Sequence, residues 1–193
     1  STNSIGSGQV LQSAYKFEKA KLIAREMTDL LVLDLVDKRL VTDQLVLTVG
    51  YDVENLKNPE IKKLYHGPVK TDHYGRSVPK SAHGTVNLGR QTSSAKLILN
   101  AVTELFERIV DKNLLVRRVN ITANHVADES DLQTKDNKDS AEQLDLFTDY
   151  AAMQAKKEEE KAELEREKRV QQAMLDIKKK YGKNAVLKGM NFE

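Results

Sequence analysis

The sequence contains no cysteine among its 193 residues. This absence excludes a disulfide scaffold, a cysteine nucleophile and a thiolate-bound zinc, and it suits a reducing cytosol. The histidines offer no substitute, because His66, His73, His83 and His125 lack the spacing of an HExxH-type metal site. The sequence also lacks a phosphate-binding P-loop, a dinucleotide fingerprint and a carboxylate pair placed to hold magnesium. We therefore expect a binding module with no catalytic residues, no metal site and no cofactor of its own.

Long apolar runs and a signal-peptide pattern are missing as well, so we expect a cytoplasmic protein without a membrane partner. The hydrophobic fraction of 39% and the charged fraction of 31% indicate one globular domain with an appendage outside its core. Residues 1–126 carry 18 Lys+Arg against 13 Asp+Glu (+5), and residues 127–193 carry 13 against 16 (−3), which sums to the net charge of +2. A basic first part permits a polyanionic partner, although it is equally compatible with a role in solubility alone.

Hydrophobic periodicity predicts six elements in the first 126 residues. They are a strand at 4–11, an amphipathic helix at 15–41, strands at 43–53 and 83–93, a helix at 93–112 and a strand at 114–126. The order β-α-β-β-α-β predicts an α+β fold, in which a four-stranded antiparallel-type sheet carries two helices on one face, followed by a long C-terminal helix. The connection at 55–81 is predicted to be an extended loop with a helical turn at 61–64, and it carries six basic residues against two acids.

Alternation along the strands assigns polar residues to the open face of the sheet. Residues predicted to face the helices are Leu45, Leu47, Val49, Val86, Leu88, Val119, Ile121 and Ala123, and those predicted to face outward are Val46, Thr48, Gly50, Thr85, Asn87, Gln91, Arg118, Asn120, Thr122 and Asn124. In the second helix, the predicted inner stripe is Leu97, Ile98, Ala101, Leu105 and Ile109. A polar open face is the ordinary outcome for an antiparallel sheet, but its hydroxyls, amides and glycine N–H groups also suit phosphates.

RNA recognition motifs share this element order and place stacking aromatic residues on their two central strands. The stretch HGTVNLGRQ, which we expect in such a central position, contains no Phe, Tyr or Trp. We therefore expect the sheet to contact backbones rather than stack on single-stranded bases.

The chain changes character after Val126. Residues 127–142 are rich in Asp, Lys, Ser and Asn, which predicts a flexible tether. The pentapeptide QLDLF (143–147) follows it, and its apolar residues either dock on their own domain or bind another protein. Residues 148–181 predict a largely solvated helix, in which an apolar stripe toward the end docks on a neighbour. That stripe consists of Val170, Met174, Ile177 and Tyr181.

Several long stretches resemble the little-finger domain of Y-family DNA polymerases, in the UmuC-like (ImpB/MucB/SamB) branch. They are NSIGSGQVL, LVTDQLVLTVGYD, HGTVNLGRQTSSAKLILNAVTELFERIV, VRRVNITANHV and, in the tail, IKKKYGKNAVLKGMNF. The resemblance implies a non-catalytic C-terminal part of an error-prone translesion polymerase acting in DNA repair and the SOS response. The palm, thumb and fingers domains, with the magnesium-binding carboxylates, would precede Ser1.

The resemblance also implies that the sheet grips the backbones of double-stranded template–primer DNA. Together with the predicted open face and basic loop, it gives as candidate DNA contacts Ser4, Gly6, Thr48, Arg76, Lys80, His83, Thr85, Asn87, Arg90, Thr92, Arg118 and Asn120. The third strand carries fewer basic residues than in many relatives, which predicts weak binding.

The pentapeptide is similar to the motif with which bacterial polymerases bind the sliding clamp. The residues that would make this contact are Gln143, Leu144, Asp145, Leu146 and Phe147. The implied organisation is a DNA-binding little finger at 1–126, a tether with the clamp motif at 127–147 and a charged helical tail at 148–193. A stand-alone nucleic-acid-binding adaptor and a structural protein acting through its long helix remain as alternatives.

Overall fold

The computed structural model describes residues 3–132 and 150–181. Its elements, in chain order, are β1 (Ile5–Tyr15), α1 (Phe17–Asp37), β2 (Leu40–Tyr51), α2 (Glu54–Lys57), α3 (Pro59–Leu64), β3 (Val69–Thr71), β4 (Ser77–Pro79), β5 (Ala82–Thr92), α4 (Ala95–Ile109), β6 (Val116–Asn124), β7 (Ala127–Asp128) and α5 (Tyr150–Tyr181). The α+β fold with an antiparallel sheet and a long C-terminal helix is confirmed.

The main sheet has the strand order β1-β6-β2-β5, and every neighbouring pair is antiparallel. The third long strand of the chain, β5, is therefore an edge strand, and the expectation of a central position for HGTVNLGRQ was wrong. Adjacent strands in the sheet are distant in sequence, so the order of elements alone did not determine which strands become neighbours. The two central strands, β6 and β2, also present no aromatic side chain outward, so the lack of a stacking platform holds for them too.

The core lies between the sheet and the two long helices of the first 126 residues. Leu45, Leu47 and Val49 of β2 and Val119 and Ile121 of β6 are all 0% exposed, as the alternation predicted. Apolar burial of this kind contributes about 25 cal/mol per Å² and is the main force that holds the helices on the sheet. The opposite face of both strands is thereby left to solvent.

Helix α4 is rotated slightly from the orientation predicted for it. Its buried residues are Ile98, Val102, Leu105 and Phe106, while Leu97, Ala101 and Ile109 are only half-buried. The reason is that α4 packs on α1 as well as on the sheet. The rings of Phe106 and Phe17 lie 5.2 Å apart, tilted at 54°. Aromatic pairs favour such tilted arrangements.

The predicted tether begins later than Ala127. Ala127 and Asp128 form a short strand beside Val41 and Leu40 of β2, and the N–H of Glu129 donates to a carbonyl oxygen in the turn before β2 at 3.0 Å. Residues 129–132 are helical. The first residues after Val126 therefore belong to the edge of the folded head, because their backbone groups complete hydrogen bonds that the start of β2 offers.

Helix α5 docks on the helical side of the head, through a stripe that matches the predicted one only at Met174, which is half-buried. Leu175 and Gln171 are buried, at 3% and 4% exposure, whereas Val170 and Ile177 are 61% and 44% exposed. The prediction relied on apolar side chains alone and missed the polar contacts of this interface. Those contacts are described with the site below, because they decide which side of the sheet remains open.

Candidate nucleic-acid interface

The open face of the main sheet consists of side chains in register across four strands. Three rows run across it: Gly6–Thr122–Val46–Thr85, Gly8–Asn120–Thr48–His83, and Val10–Arg118–Gly50. A fourth row, Asn124–Gln44–Asn87, spans three strands at the other end. We call these residues the open face. Strand alternation with a period of two places all of them on the side away from α1 and α4.

Side-chain amides form a hydrogen-bonded chain across the fourth row. Asn124 Nδ2 donates to Gln44 Oε1 at 3.0 Å, and Gln44 Nε2 donates to Asn87 Oδ1 at 2.9 Å. Asn87 and Asn124 were predicted to face outward, whereas Gln44 was not, although Gln44 has the same strand parity as Val46. These two hydrogen bonds fix the orientation of three amides, which can still hydrogen-bond a ligand because each amide carries two donors and an acceptor.

A similar contact orders the second row. Thr48 Oγ1 and His83 Nδ1 lie 2.8 Å apart, and the tautomer of the imidazole decides which atom donates. Thr48 is half-buried and His83 is exposed, so the ring at the edge strand is held by a side chain of the neighbouring strand. Both were candidate contacts, and the structure brings them together.

The first strand presents almost no side chain on this face. Gly6 and Gly8 stand opposite Thr122 and Asn120, and a Cβ built on Gly8 would lie 2.3 Å from the Asn120 amide oxygen. Any larger residue at position 8 would displace that amide. The absence of side chains keeps the β1 edge low, so that a flat or convex partner can approach its backbone closely.

Formal charge is nearly absent from the open face. Arg118, which is exposed, is the one residue with a full charge in the four rows. The remaining positions are hydroxyls, amides, glycines, one imidazole and the apolar Val10 and Val46. Such a surface offers hydrogen bonds that suit a phosphate backbone and provides little of the long-range attraction that lysine-rich faces exert.

Basic residues concentrate instead in the connection between β2 and β5, at one end of the open face. Lys57, Lys62, Lys63, Lys70, Arg76 and Lys80 are all exposed there. Arg76 lies in the β3–β4 turn, where its Nε donates to Asp72 Oδ2 at 2.8 Å. Lys80 lies between β4 and β5, close to the start of the open face. Neither residue is part of the sheet surface, so the candidate contacts form two neighbouring patches rather than one.

Three other candidates have different surroundings. Ser4 is exposed just before β1, next to the open face. Arg90 is exposed but follows the positive-φ residue Gly89 (φ 77°), which interrupts the β5 pairing, and its guanidinium lies 3.7 Å from Glu160 of α5. Thr92 is 6% exposed. Because its hydroxyl accepts from the N–H of Ser94 at 3.0 Å, Thr92 supports the start of α4 and is not available to a ligand on the sheet.

The same irregularity removes Gln91 from the open face. Thr42 pairs with Thr92 but Gln44 pairs with Asn87, so β5 contains extra residues opposite this short stretch of β2. Gln91 Nε2 donates to the carbonyl oxygen of His125 at 2.9 Å instead of following the outward alternation. A bulge of this kind shifts every later residue of the strand relative to the period of two.

The N-terminus of α4 is occupied by a carboxylate from α5. Glu167 Oε1 accepts from the N–H of Lys96 at 2.6 Å, and its Oε2 accepts from Ser94 Oγ at 2.8 Å. The first N–H groups of a helix have no partner within it and attract negative charge. Gln171 Nε2 adds a contact to the carbonyl oxygen of Ser93 at 3.4 Å. The tail helix is thus anchored beside the helices, opposite the open face.

The pentapeptide Gln143–Phe147 lies outside the described residues. Within the described ranges, no group of three metal-ligating side chains could hold a metal ion, and none of the helices is long and apolar enough to cross a membrane.

The sequence matches the model of a known protein family. A sequence model of the C-terminal domain of the impB/mucB/samB family matches residues 2–146. No curated protein matches the chain significantly.

Solved structures give likenesses at low sequence identity. A complex of the beta-clamp processivity factor with the little finger domain of PolIV is similar at 7% identity, with a TM-score of 0.40, covering 63% of this chain and 86% of that one. A post-insertion binary complex of Dbh DNA polymerase is similar at 10% identity, with a TM-score of 0.39, covering 65% of this chain and 29% of that one.

Proposed function

Because the chain belongs to the impB/mucB/samB family through the family's C-terminal domain, we propose that it is the non-catalytic, DNA-gripping part of a translesion DNA polymerase. The family match over residues 2–146 carries this proposal. The resemblance to the Y-family branch, on which the sequence interpretation relied, is confirmed by that match. Nucleotide transfer and its magnesium ions would belong to the catalytic domains of the whole polymerase.

The open face is the surface that we assign to the template–primer duplex. Its hydroxyls, amides and low β1 edge suit two phosphate backbones, and we expect these contacts to position the duplex without reading its bases. Binding should therefore be independent of DNA sequence. With a single formal charge on the face, the salt dependence should come mainly from the neighbouring basic connection.

Two matched substitutions test this assignment. Asn87→Asp adds a carboxylate to the open face, where the side-chain oxygen already accepts from Gln44. Asn100→Asp makes the same change at an exposed position of α4, on the opposite side of the sheet. We expect Asn87→Asp to weaken duplex binding about fivefold, from repulsion of about 1 kcal/mol between a carboxylate and a phosphate in water. Asn100→Asp should bind like the parent protein in a fluorescence anisotropy titration, and equal losses in both variants would refute the assignment.

The pentapeptide at 143–147 is the segment that we assign to a bacterial sliding clamp. Leu146 and Phe147 would enter an apolar cleft, at about 1.5–3 kcal/mol each for full burial. Micromolar affinity is expected after the costs of ordering the peptide. Calorimetry of the chain against a clamp, beside the Leu146→Ala/Phe147→Ala double variant, tests the assignment. Binding that the double variant retains would show that another segment makes the contact.

A further inference from the structure

The connection between β2 and β5 is much longer than the sheet requires. These strands are antiparallel neighbours, and two to five residues suffice for such a turn. Residues 52–81 instead form α2, α3 and the β3–β4 hairpin. An ordered insertion of this length calls for a role of its own.

The base of the insertion is fixed to the head. Asn55 is 0% exposed, and its Nδ2 donates to the carbonyl oxygens of Asp52 and Leu115 while its Oδ1 accepts from the N–H of Leu115. Val78 of β4 is 4% exposed. A fully satisfied buried amide specifies one arrangement of its surroundings. The hairpin therefore leaves the head in a defined direction.

The turn at the end of the hairpin is ordered by Asp72. Its Oδ1 accepts from the N–H groups of Tyr74 and Arg76 at 2.9 and 2.8 Å, and its Oδ2 accepts from Arg76 Nε. Gly75 supplies the left-handed residue of the turn, with φ 77°. Side-chain bonds of this type from aspartate are a standard way to close a tight turn.

This turn presents an aromatic ring to solvent. Tyr74 is 78% exposed, the highest value among the exposed large hydrophobic residues of the described chain. The Arg76 guanidinium lies 5.0 Å from its ring centre, and the His73 ring lies 5.5 Å away, edge-on. The neighbours hold the tyrosine in place without covering it. An exposed, pre-ordered aromatic ring is the feature that the open face lacks.

The charge around the ring is positive. Between residues 65 and 81 there are three basic residues, Lys70, Arg76 and Lys80, and one acid, Asp72, which is already paired with Arg76. An aromatic platform beside basic side chains is the combination with which proteins bind single-stranded nucleic acid. The same charge disfavours a basic protein surface as the occupant.

The hairpin is also connected closely to the sheet. Strand β4 leads into β5 through Lys80 and Ser81, so the hairpin adjoins the end of β5 at which His83 lies. Tyr74 stands eight residues before Ala82, so it lies within about 25 Å of the start of β5. A strand that leaves a duplex on the open face at this end would pass the hairpin.

We propose that the β3–β4 hairpin is a second nucleic-acid contact, which binds the unpaired strand next to the duplex by stacking a base on Tyr74. Lys70 and Lys80 contact the phosphates on either side. The duplex part of this arrangement rests on the proposed function, whereas the stacking contact depends only on the hairpin.

Anisotropy titrations with two labelled ligands test the proposal: a blunt duplex, and the same duplex with an unpaired extension. For the whole chain we expect the extension to increase the affinity. Tyr74→Ala should remove most of this gain, about five- to tenfold, and leave the affinity for the blunt duplex unchanged. Tyr74→Phe should keep the gain, because the ring rather than the hydroxyl stacks. Val69→Ala, at a position on the same hairpin that is 54% exposed, is the matched control and should also keep it.

The outcomes separate this proposal from the assignment of the duplex. If Tyr74→Ala weakens both ligands equally, or neither, or if the extension gives no gain to the parent protein, the stacking contact is refuted. If the blunt duplex fails to bind the parent protein, the duplex assignment is refuted. Tyr74-dependent binding of a free single strand would still support the hairpin contact in that case.

Discussion

Replacing Leu175 with alanine should release α5 from the head without unfolding the head. Leu175 is 3% exposed, yet it is not among the residues of the main hydrophobic cluster between the sheet, α1 and α4. Its burial comes from docking of the tail helix. The polar contacts of α5 include the Glu167 carboxylate at the start of α4 and ion pairs such as Lys179 with Asp37 at 3.0 Å.

The loss of docking free energy can be worked out from the burial of Leu175. Full burial of a leucine side chain contributes about 1.5–3 kcal/mol, and Leu→Ala in a rigid core costs about 2–5 kcal/mol because a cavity remains. A helix docked at the surface can relax into that cavity, so the loss should be near the lower end, about 2 kcal/mol. This lowers the docking equilibrium constant about thirtyfold. The exposed ion pairs cannot compensate, since each contributes about 0–1 kcal/mol.

Hydrogen exchange at one backbone amide measures this docking. The N–H of Lys96 is in the first turn of α4 and has no acceptor within its own helix. Its protection in the folded chain comes from Glu167 Oε1, at 2.6 Å. We expect Leu175→Ala to increase the exchange rate of this amide by up to about thirtyfold. The thermal midpoint of the head should change little.

Ile177→Ala is the matched control. Ile177 lies in the same part of α5 but is 44% exposed, so its truncation should alter neither the exchange of the Lys96 amide nor the thermal midpoint. Equal effects of the two substitutions would mean that the stripe predicted from the sequence is the docking face. An unchanged Lys96 amide together with a large loss of head stability would mean that Leu175 belongs to the core.

Three further predictions concern the head. Arg118→Ala should make the plot of log affinity for duplex DNA against log salt concentration shallower by about one, because a single phosphate contact is lost, and an unchanged slope would exclude that contact. Desolvation, and then the neighbouring Asp29, raise the pKa of Glu26, so the charged form of this side chain disfavours the fold. Glu26→Gln should therefore raise the thermal midpoint at neutral pH. The gain should shrink as the pH falls, because the wild-type carboxyl becomes protonated. Partial desolvation alone would raise the pKa of Asp72, but hydrogen bonds from Arg76 outweigh it and lower the pKa; the hairpin turn should therefore be fully ordered above the ordinary aspartate pKa and loosen as the pH falls through the lowered value. A chemical-shift titration of the Arg76 amide that shows loosening near neutral pH would contradict this.

Strand faces were predictable from the sequence wherever the period of two is uninterrupted. Leu45, Leu47 and Val49 alternate with outward residues over a continuous stretch of β2, and the structure buries all three. The prediction failed for Gln91, because Gly89 at φ 77° starts an irregularity that the residue pattern does not reveal. Local periodicity shows which residues of a strand share a face. It does not show where a bulge adds residues to one strand of a pair.

Contacts between elements that are distant in sequence were harder to predict. The sequence gives the order of the strands but not their neighbours, so the edge position of β5 was missed. The docking face of α5 was missed for a different reason. Beside the apolar anchor Leu175, this face places a carboxylate, Glu167, at the N-terminus of α4, and an amide, Gln171, against the carbonyl oxygen of Ser93. A search for apolar stripes favours Val170 and Ile177, which the structure leaves exposed.

The side on which α5 docks determines whether the two proposed partners can bind together. Its contacts involve α1, the start of α4 and Arg90, whereas His83, Thr85 and Asn87 of the open face are exposed. A duplex on the sheet would therefore not displace the tail helix, and the segment before α5 could engage a clamp at the same time. Leu175→Ala should accordingly bind duplex DNA with unchanged affinity, measured by the same anisotropy titration. A gain in affinity on release of α5 would show instead that the docked helix obstructs the DNA, and the two contacts would then be alternatives.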